Sequence, residues 1–500
     1  MAIDKSKIEM LSNDAKKAQR ERRLLNALRK GEDEMRRLSL VGVNNAFNGI
    51  TGDYGVYDKP FLPMEKHESP EQFVYRALYR TSLYNGTKKS INDINDRIFS
   101  QSIKFTCEQD EVFKEHIEYN FDGSGTGLNE FAKMYNKDAL WNGCSFILVN
   151  QNSGVTNKDN LPNAVLISAN DVEILRKDNK GKISAFKHTY TVEEEIDEFE
   201  TKIATYRDIY FYKNGRPHLT KYKKIEEGEY EIEFDDALSI DEIPIVELYP
   251  ETERKDLLCN RPYQDMANLN LTNWIFKSTY MTLVDIASRS FIFANGVKEN
   301  AEKIPYGIFT MFTNSNPSAD MKWIQADSKS SDMIKDLLSD NQEEMKMLGS
   351  EFLETKATLT ATEVKYSTSD TNSRAQNFAF NLEKALEKAV ELMFKWHKKE
   401  STEFQVEVNK NIGLTKGEEI FDRAVLLNDK NVISDKELRE TSKKLGYINA
   451  DKEEEEYVED LNNEGKAFGC SNMLNIDRNE PQEDETDTND NDNEGNVEEE

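Results

Sequence analysis

The sequence has few of the residues that build disulfide frameworks and metal centres. It contains four cysteines (Cys107, Cys144, Cys259 and Cys470), with no Cys-x-x-Cys pair, and five histidines that stand far apart. Ligands this scattered do not match a zinc module, in which they recur at short spacing. They indicate reduced thiols in a protein that is made in a cytosol. We therefore expect no cofactor and no metal.

Long apolar runs are also missing. No stretch approaches the ~18 uninterrupted apolar residues of a membrane span, so we expect no membrane segment. The initial residues, MAIDKSKIEM, lack the apolar core of a secretion signal.

The chain has fewer basic residues than acidic residues. The chain of 500 residues has 65 basic and 94 acidic residues, and its formal net charge is -29. This excess of acid argues against tight binding of duplex DNA, which depends on Lys and Arg at the phosphates. Hydrophobic residues make up 37% of the chain and charged residues 32%. This balance favours an elongated or assembled protein with much solvent-facing surface, and the length allows more than one domain.

A basic helix is predicted over residues 12–37, with Ser12 as its N-cap. Leu24, Leu25 and Leu28 fall on one side of it. One interpretation is a solvated amphipathic helix, and the other is a contact with DNA or with an acidic partner protein. Its basic residues are Lys16, Lys17, Arg20, Arg22, Arg23, Arg29, Lys30, Arg36 and Arg37.

The glycine-rich run GSGTG, residues 123–127, invites comparison with a phosphate-binding loop. A P-loop requires Lys and then Ser or Thr after its last glycine, but Leu128 and Asn129 stand there. A loop that caps a helix from Leu128 to Leu140 explains the run better.

Residues 161–250 are predicted to be rich in β-strands, and the acidic insert Glu193–Glu200 is predicted to be an exposed loop. Asp235 and Asp236 could in principle hold Mg²⁺ in a nuclease, but no convergent carboxylate or paired Lys accompanies them. The expected strands are Ala164–Ile167, Val172–Leu175, Ile183–Tyr190, Tyr206–Tyr212, Tyr230–Phe234 and Ile243–Leu248.

Two long helices are predicted around a small β-containing unit. The helices run from Pro262 to Ser290 and from Ser330 to Leu353, and the unit between them spans Phe291–Asp327. Ile308–Phe312 and Met321–Gln325 are its expected strands. The second helix has an apolar stripe at helical spacing and an opposite face of acids. The stripe contains Ile334, Leu337, Leu338, Met345, Leu348 and Phe352, and the acidic face contains Asp332, Asp336, Asp340, Glu343, Glu344 and Glu351.

The segment Thr355–Asn372 lacks helical periodicity and is predicted to be a loop. A third helix is expected from Ser373 to His397. Ser434 and Asp451 are predicted caps of two short helices. From Glu480 onward there are eleven acids and no base, so this tail cannot bury enough apolar surface to fold.

Four stretches of the chain, taken in order, resemble portal proteins of tailed phages. They lie within residues 60–460, and the ordered set is more specific than any single motif. The group most similar is an uncharacterised phage domain with portal architecture. Where that group usually has a glycine, this chain has Asp96 and Arg97 before Ile98 and Phe99. The stretches are FLPMEKHESPEQFVYRALYRTSLYNGTKKSINDINDRIF, FDGSGTGLNEFAKMYNKDALWNGCSFILVN, the helix–β unit–helix order of residues 262–353, and LGSEFLETKATLTATEVKYSTSDTNSRAQNFAFNLEKALEKAVELMFKW.

The resemblance implies an α+β portal fold, with an α/β wing, two stem helices flanking a clip, and a helical crown. The expected parts are an N-terminal basic helix and loop (1–58), wing (59–260), stem helix 1 (261–290), clip (291–328), stem helix 2 (329–354), tunnel loop (355–372), crown with the C-terminal helical region (373–479) and disordered acidic tail (480–500).

The resemblance also implies a non-enzymatic function. Twelve subunits would form a ring at one capsid vertex of a virion assembled in the host cytoplasm, and double-stranded DNA would be packaged and ejected through it. The implied partners are the terminase large subunit, head-completion adaptor and tail proteins, the major capsid protein and scaffold. Another capsid-vertex or scaffold-like structural protein, or a metal-dependent nuclease, is the alternative.

The expected site residues follow from the same resemblance. Lys356, Lys365 and Arg374 would contact DNA in or beside the tunnel loop. Asp332, Asp336, Asp340, Glu343 and Glu344 would line the channel. Ile308, Phe309, Phe312 and Trp323 would dock partners at the clip.

Overall fold

The computed structural model describes most of the chain up to residue 444. The described residues are 8–40, 60–65, 68–107, 110–150, 161–195, 197, 200–226, 229–251, 256–288, 291–295, 318, 320–324, 329–349, 361–397, 403–410, 412, 417–430, 432 and 434–444.

The described residues form a mixture of helices and antiparallel strands, which agrees with the expected α+β class. The chain divides into two compact units, Met1–Gly413 and Leu414–Glu500. The helices of the first unit are α1 (Asn13–Lys30), α2 (Glu32–Leu40), α3 (Pro70–Tyr79), α4 (Gly86–Ile98), α5 (Glu111–Asn120), α6 (Leu128–Asn142), α7 (Gln264–Ser288), α8 (Lys329–Gly349) and α9 (Ala361–Trp396). The second unit contains α10 (Gly417–Asp429) and α11 (Asp435–Lys444).

The strands among the described residues belong to four antiparallel sheets. They are β1 (Lys104–Cys107), β2 (Ser145–Asn150), β3 (Asn163–Ser168), β4 (Val172–Lys177), β5 (Ile183–Glu195), β6 (Thr201–Lys213), β7 (Arg216–Glu226), β8 (Glu229–Ala237), β9 (Ile245–Leu248), β10 (Phe291–Asn295), β11 (Asp320–Ile324) and β12 (Phe404–Glu407). A five-stranded meander has the order β4-β5-β6-β7-β8, and a three-stranded sheet has the order β3-β2-β9. The pairs β1-β12 and β10-β11 complete the set.

The prediction of a loop over the acidic insert is wrong for its first residues. Glu193, Glu194 and Glu195 belong to β5 and pair with the start of β6. Cross-strand partners offset the charge there, because the Glu194 carboxylate accepts a hydrogen bond from Tyr206 and lies 2.7 Å from Lys223 Nζ. Local acidity therefore does not prevent this part of the hairpin from forming.

The basic N-terminal segment forms two helices instead of the predicted single helix. The Ser12 side chain accepts a hydrogen bond from the Ala15 amide at 3.2 Å, which confirms the predicted N-cap. The break falls at Gly31, whose φ of 104° is unfavourable for residues with a side chain. This glycine lets α2 turn back against α1.

The main core of the first unit collects the apolar faces of α1–α6 and the long helices. From Phe378 to Phe394, α9 is buried on one side, and it packs against β2, β9 and β12. The start of α3 is fixed by a reciprocal capping box, in which Ser69 and Gln72 each bond the other's backbone amide. The packing of α9 on these three strands attaches it to the rest of the unit.

Helix α9 begins at Ala361, so the predicted loop over Thr355–Asn372 and the predicted helix start at Ser373 are wrong for residues 361–372. Ser and Thr cost only about half a kcal/mol each relative to Ala in a helix. No Pro or Gly interrupts the sequence from Ala361 to Trp396. Once the apolar half of the helix is packed, extending it toward its N-terminus requires no new nucleus.

Candidate functional site

The two long helices that flank the β10-β11 pair are the candidate functional site. Helices α7 and α8 pack against each other, and both also contact α4. Asn270 of α7 is completely buried, and its side-chain oxygen accepts hydrogen bonds from the Thr87 amide at 3.0 Å and the Thr87 hydroxyl at 2.8 Å. Its side-chain nitrogen donates to the Tyr84 carbonyl. These bonds attach α7 to the start of α4.

The same side of α7 carries further polar anchors one and two turns later. Trp274 Nε1 donates to Ser39 Oγ of α2 at 3.2 Å. Arg76 of α3 donates to Ser278 Oγ at 2.9 Å, and both side chains are buried. Since the positions recur every four residues, they form one ridge of the helix. Polar bonds therefore fix the rotation of α7 about its axis.

The side of α7 away from this ridge is apolar and only half-covered. Phe276, Tyr280 and Leu283 are partly exposed, and Val284 is 37% exposed. Apolar side chains on one side of a helix normally face a packed neighbour. Among the residues that the structure describes, these side chains are covered only in part.

Helix α8 has a buried face and an acidic face. Leu338, Asn341 and Met345 are buried. The five predicted channel-lining acids are all exposed, and they share the side of the helix away from these buried residues. They are Asp332, Asp336, Asp340, Glu343 and Glu344.

Between these two faces, α8 exposes an apolar edge. Leu337 is 42% exposed on this edge, and Met333, one turn earlier and 61% exposed, lies at the border of the acidic face. Three turns after Leu337, Leu348 is 46% exposed on the same edge, whereas Met347, which is 66% exposed, lies among the acids. The predicted apolar stripe is therefore divided, because Leu337 and Leu348 lie outside the buried face. Exposed apolar side chains at helical spacing are typical of a surface that another helix covers.

The β unit between the helices is described in part. β10 pairs with β11 in antiparallel register, with Trp323 opposite Ile292. This confirms a strand at Met321–Gln325, shifted by one residue at each end. The predicted strand Ile308–Phe312, with Ile308, Phe309 and Phe312, lies outside the described residues.

Of the three predicted DNA-contacting bases, only Arg374 has a side chain among the described residues. Lys356 lies outside the described residues, and Lys365 lies on α9 instead of a loop. Arg374 donates to Glu251 at 2.8 Å and to the Pro262 carbonyl at 3.0 Å. Its guanidinium also lies 5.7 Å from the ring centroid of Tyr263. Arg374 therefore links α9 to the segment just before α7.

Sequence analysis did not predict that Arg22 of α1 is buried and held by several hydrogen bonds. Arg22 is completely buried, and it donates to the carbonyls of Asn142 at 2.9 Å and Ala169 at 3.1 Å. It also donates to the Leu257 carbonyl and to Cys144 Sγ. The residue therefore joins α1 to the end of α6, to the β3-β4 turn and to the segment before α7.

A sequence signal for this burial exists. Ala15, Ala18 and Leu25 are buried, and Arg22 occupies the same side of α1 at helical spacing. A base in line with an apolar stripe indicates a buried guanidinium that bonds backbone carbonyls. Arg22 is therefore an exception to the interpretation of the basic residues of α1 as the solvated side of an amphipathic helix.

The cysteines near Arg22 are not isolated from each other. Cys144 and Cys259 are both buried and have free thiols. Their mutual hydrogen bond lowers the pKa of Cys259 to about 7, whereas burial raises the pKa of Cys144. The positive charge of Arg22 also favours the Cys259 thiolate.

Residues of the glycine-rich run and of the Asp235–Asp236 pair make hydrogen bonds within the fold. Gly127 is the N-cap residue of α6, and the Asp122 carboxylate accepts hydrogen bonds from the Ser124 and Thr126 amides. Asp235 accepts from Thr220 at 2.7 Å and lies 2.7 Å from His218 Nε2. Within the described part of the chain, no group of three or more His, Cys, Asp or Glu residues could hold a metal ion. Of the helices described, none combines the length and apolarity that crossing a bilayer requires.

One known protein family matches the segment that contains the long helices. The model of a family described as a domain of unknown function, DUF4055, matches residues 262–397, which contain α7, the β10-β11 pair, α8 and α9. No curated protein matches the chain.

Several solved structures are similar at low identity. One is described as the neck of an empty GTA particle computed with C6 symmetry, with 11% identity and a TM-score of 0.41; it covers 72% of this chain and 90% of that chain. A second is described as the virion of a native gene transfer agent (GTA) particle. It has 12% identity and a TM-score of 0.40, and the match covers 72% of this chain and 89% of that chain. The neck of a native GTA particle computed with C12 symmetry has 10% identity and a TM-score of 0.40, with the same coverage. TM-scores this low do not establish a common fold.

Proposed function

We propose that this chain is a portal subunit of a tailed phage, one of twelve that form a ring at a capsid vertex. Viral DNA would pass through the ring during packaging and ejection. In this proposal, α7 and α8 are the stem, the segment between them is the clip, and the wing lies within 59–260. The ordered sequence resemblance supports it, as does the helix–β pair–helix arrangement.

The observation that carries the proposal is the pair of surfaces on α8. Its acidic face is exposed, and beside it runs an exposed apolar edge that contains Leu337 and Leu348. In a ring, the apolar edge would be covered by the partly exposed side of α7 in the next subunit. The acidic face would remain solvated and would face the axis of the ring. A cyclic arrangement provides such head-to-tail contacts without leaving any edge unpaired.

The acidic face has a physical function in this arrangement. A channel lined with Lys and Arg would bind phosphates through counterion release and slow the passage of DNA. Carboxylates repel the phosphates, so the duplex stays near the axis. At physiological salt this repulsion acts over about 8 Å, which confines it to DNA close to the wall.

We propose that the connection between the end of α8 and the start of α9, residues 350–360, is the tunnel loop. This connection includes Lys356. Lys365 would follow on α9 and could contribute a transient phosphate contact. Arg374 is instead proposed as a positioning residue, because its guanidinium is bonded to Glu251 and to the Pro262 carbonyl.

The clip is proposed to dock the terminase large subunit and later the head-completion adaptor or tail proteins. Trp323, together with Ile308, Phe309 and Phe312, remains the candidate docking set. Contacts of the ring with the major capsid protein and scaffold are part of the same proposal.

Native mass spectrometry of the purified protein, combined with negative-stain images, tests the ring. A mass of twelve chains and class averages with a central hole are expected. A closed shell or a filament would favour a scaffold-like protein. A monomer that cleaves DNA only with Mg²⁺ would favour the nuclease.

A further inference from the structure

The bend between α1 and α2 forms a pocket that has no assigned role. Gly31 lets the two helices fold toward each other, and they border an open surface depression of about 310 Å³. Ala27 and Leu38 are buried at its base. The polar lining consists of Gln19, Arg20, Arg23, Asn26, Glu34 and Arg37.

Positive charge prevails in this pocket, although the chain as a whole carries -29. Three arginines and a single acid line it. Arg20 is exposed and makes no hydrogen bond or ion pair with any residue that the structure describes. Lys16, one turn before Arg20 on the same side of α1, is exposed as well. The basic surface therefore extends along α1 into the pocket.

The other two arginines are held in place. The guanidinium of Arg23 lies 4.7 Å from the ring centroid of Phe61. Arg37 makes two parallel hydrogen bonds to Glu34, at 2.7 and 2.8 Å. A guanidinium has five N–H donors, so Arg37 keeps others for a ligand. Ordered guanidinium groups around a concavity suit bidentate binding of carboxylates.

Glu34 determines which anion fits. Its hydrogen bonds with Arg37 keep the pKa of this carboxyl below its usual range, so it stays charged. A ligand beside it therefore needs hydrogen-bond donors as well as negative charge. A peptide has backbone N–H groups, whereas the sugar-phosphate backbone of DNA offers no donor. Glu34 thus favours peptide over duplex.

We propose that this pocket binds an acidic peptide segment, rich in Asp and Glu, of a partner protein. Carboxylates of the peptide bond Arg20, Arg23 and Arg37, and its backbone amides donate to Glu34. The inference does not depend on a ring, because all lining residues belong to one chain.

Fluorescence anisotropy with a labelled oligoglutamate peptide tests the proposal on the full-length protein. Arg20→Glu reverses a charge on an exposed helix surface and is expected to weaken binding about tenfold or more, since charge pairs of this kind contribute one to several kcal/mol. Lys180→Glu makes the same charge change in the exposed turn between β4 and β5 and is the matched control, with unchanged affinity. Circular dichroism and the oligomer mass verify that both variants fold and assemble alike.

Duplex DNA supplies the second comparison. The peptide should bind the native protein at least tenfold more tightly than a duplex of equal charge at the same salt concentration, and Glu34→Gln should narrow this difference. Equal loss of peptide affinity in Arg20→Glu and Lys180→Glu would overturn the proposal, as would duplex binding as tight as peptide binding. Absence of peptide binding at low salt would overturn it too, and none of these results would bear on whether the protein forms rings.

Discussion

Asn270 and Thr87, 183 positions apart in the chain, form two hydrogen bonds inside the core. Both side chains are completely buried. Through this pair, the first long helix of the candidate stem is fixed to the start of α4. The orientation of α7 is therefore set by bonds within one subunit, before any neighbour is added.

The first prediction concerns this anchor. Asn270→Ala leaves the Thr87 amide and hydroxyl without their acceptor, and each buried group left unpaired costs about 1–3 kcal/mol. We expect the free energy of unfolding to fall by about 2–4 kcal/mol, measured by urea denaturation. Asn268→Ala, on the exposed side of the same helix, is the control and should change stability by less than about 0.5 kcal/mol. Equal effects of the two substitutions would refute the anchor.

The second prediction separates a buried base from an exposed one on α1. Arg22→Met leaves buried carbonyls of Asn142, Ala169 and Leu257 without donors, so we expect a loss of about 3 kcal/mol or more. Arg20→Met is the same substitution two residues away on the exposed surface and should be nearly neutral. Thermal melting of the two variants makes the comparison. A solvated α1 would give them equal melting temperatures.

The third prediction uses two opposed residues of the meander. Asp208 and His188 are cross-strand partners on β6 and β5. Burial raises the pKa of Asp208 to about 6 and lowers the pKa of His188 to about 4. Lys221 and Glu233 act on Asp208 with opposite signs, and Tyr190 donates to it at 3.5 Å.

The signs of these shifts give opposite pH dependences. The folded state binds the Asp208 proton more tightly than the unfolded state, so the cost of its buried charge is present above pH 6 and fades as pH falls toward 4. Asp208→Asn should therefore raise stability at pH 8 by roughly 2 kcal/mol and have little effect below about pH 3.5. For His188, stability is lost as pH falls from 6.5 through 4, and His188→Gln should remove that loss. Melting temperatures across this range check both, and a constant offset at all pH values would contradict the assignment.

The fourth prediction addresses assembly. Leu337→Glu and Leu348→Glu place a charge on the exposed apolar edge of α8. Burying such side chains contributes about 1.5–3 kcal/mol each, so the variants should assemble only at concentrations about tenfold or more higher. The control is Asp336→Asn on the acidic face, which should assemble like the native protein. Mass photometry measures the distribution of species, and unaffected assembly of both Glu variants would exclude this edge as an interface.

Local signals predicted much of the helical structure. The Ser12 cap, the start of α3 after Ser69 and the start of α6 at Leu128 all follow from residues within a few positions. The acidic and apolar sides of α8 likewise follow from spacing alone. What spacing does not give is which apolar residues one chain covers, since Leu338 is buried and Leu337 is exposed.

Features that depend on distant partners were not predicted. The strand β7, RPHLTKYKKIE, contains Pro217 and four lysine or arginine residues within a weak apolar pattern, and it forms because β6 and β8 pair with both of its edges. β1 pairs with β12 some 300 positions later, with Phe105 opposite Val406. Arg22 is buried because carbonyls from three separate segments converge on it. Such long-range partners leave little trace in the local sequence.

The central claim is that the acidic face of α8 lines the channel of a ring. A cryo-electron microscopy map of the assembled protein tests it most directly. The account predicts a twelve-fold ring in which Asp336 and Asp340 face the axis and Leu337 contacts α7 of the next subunit. A ring with these acids on its outer surface, or a protein that stays monomeric at every concentration, would contradict it.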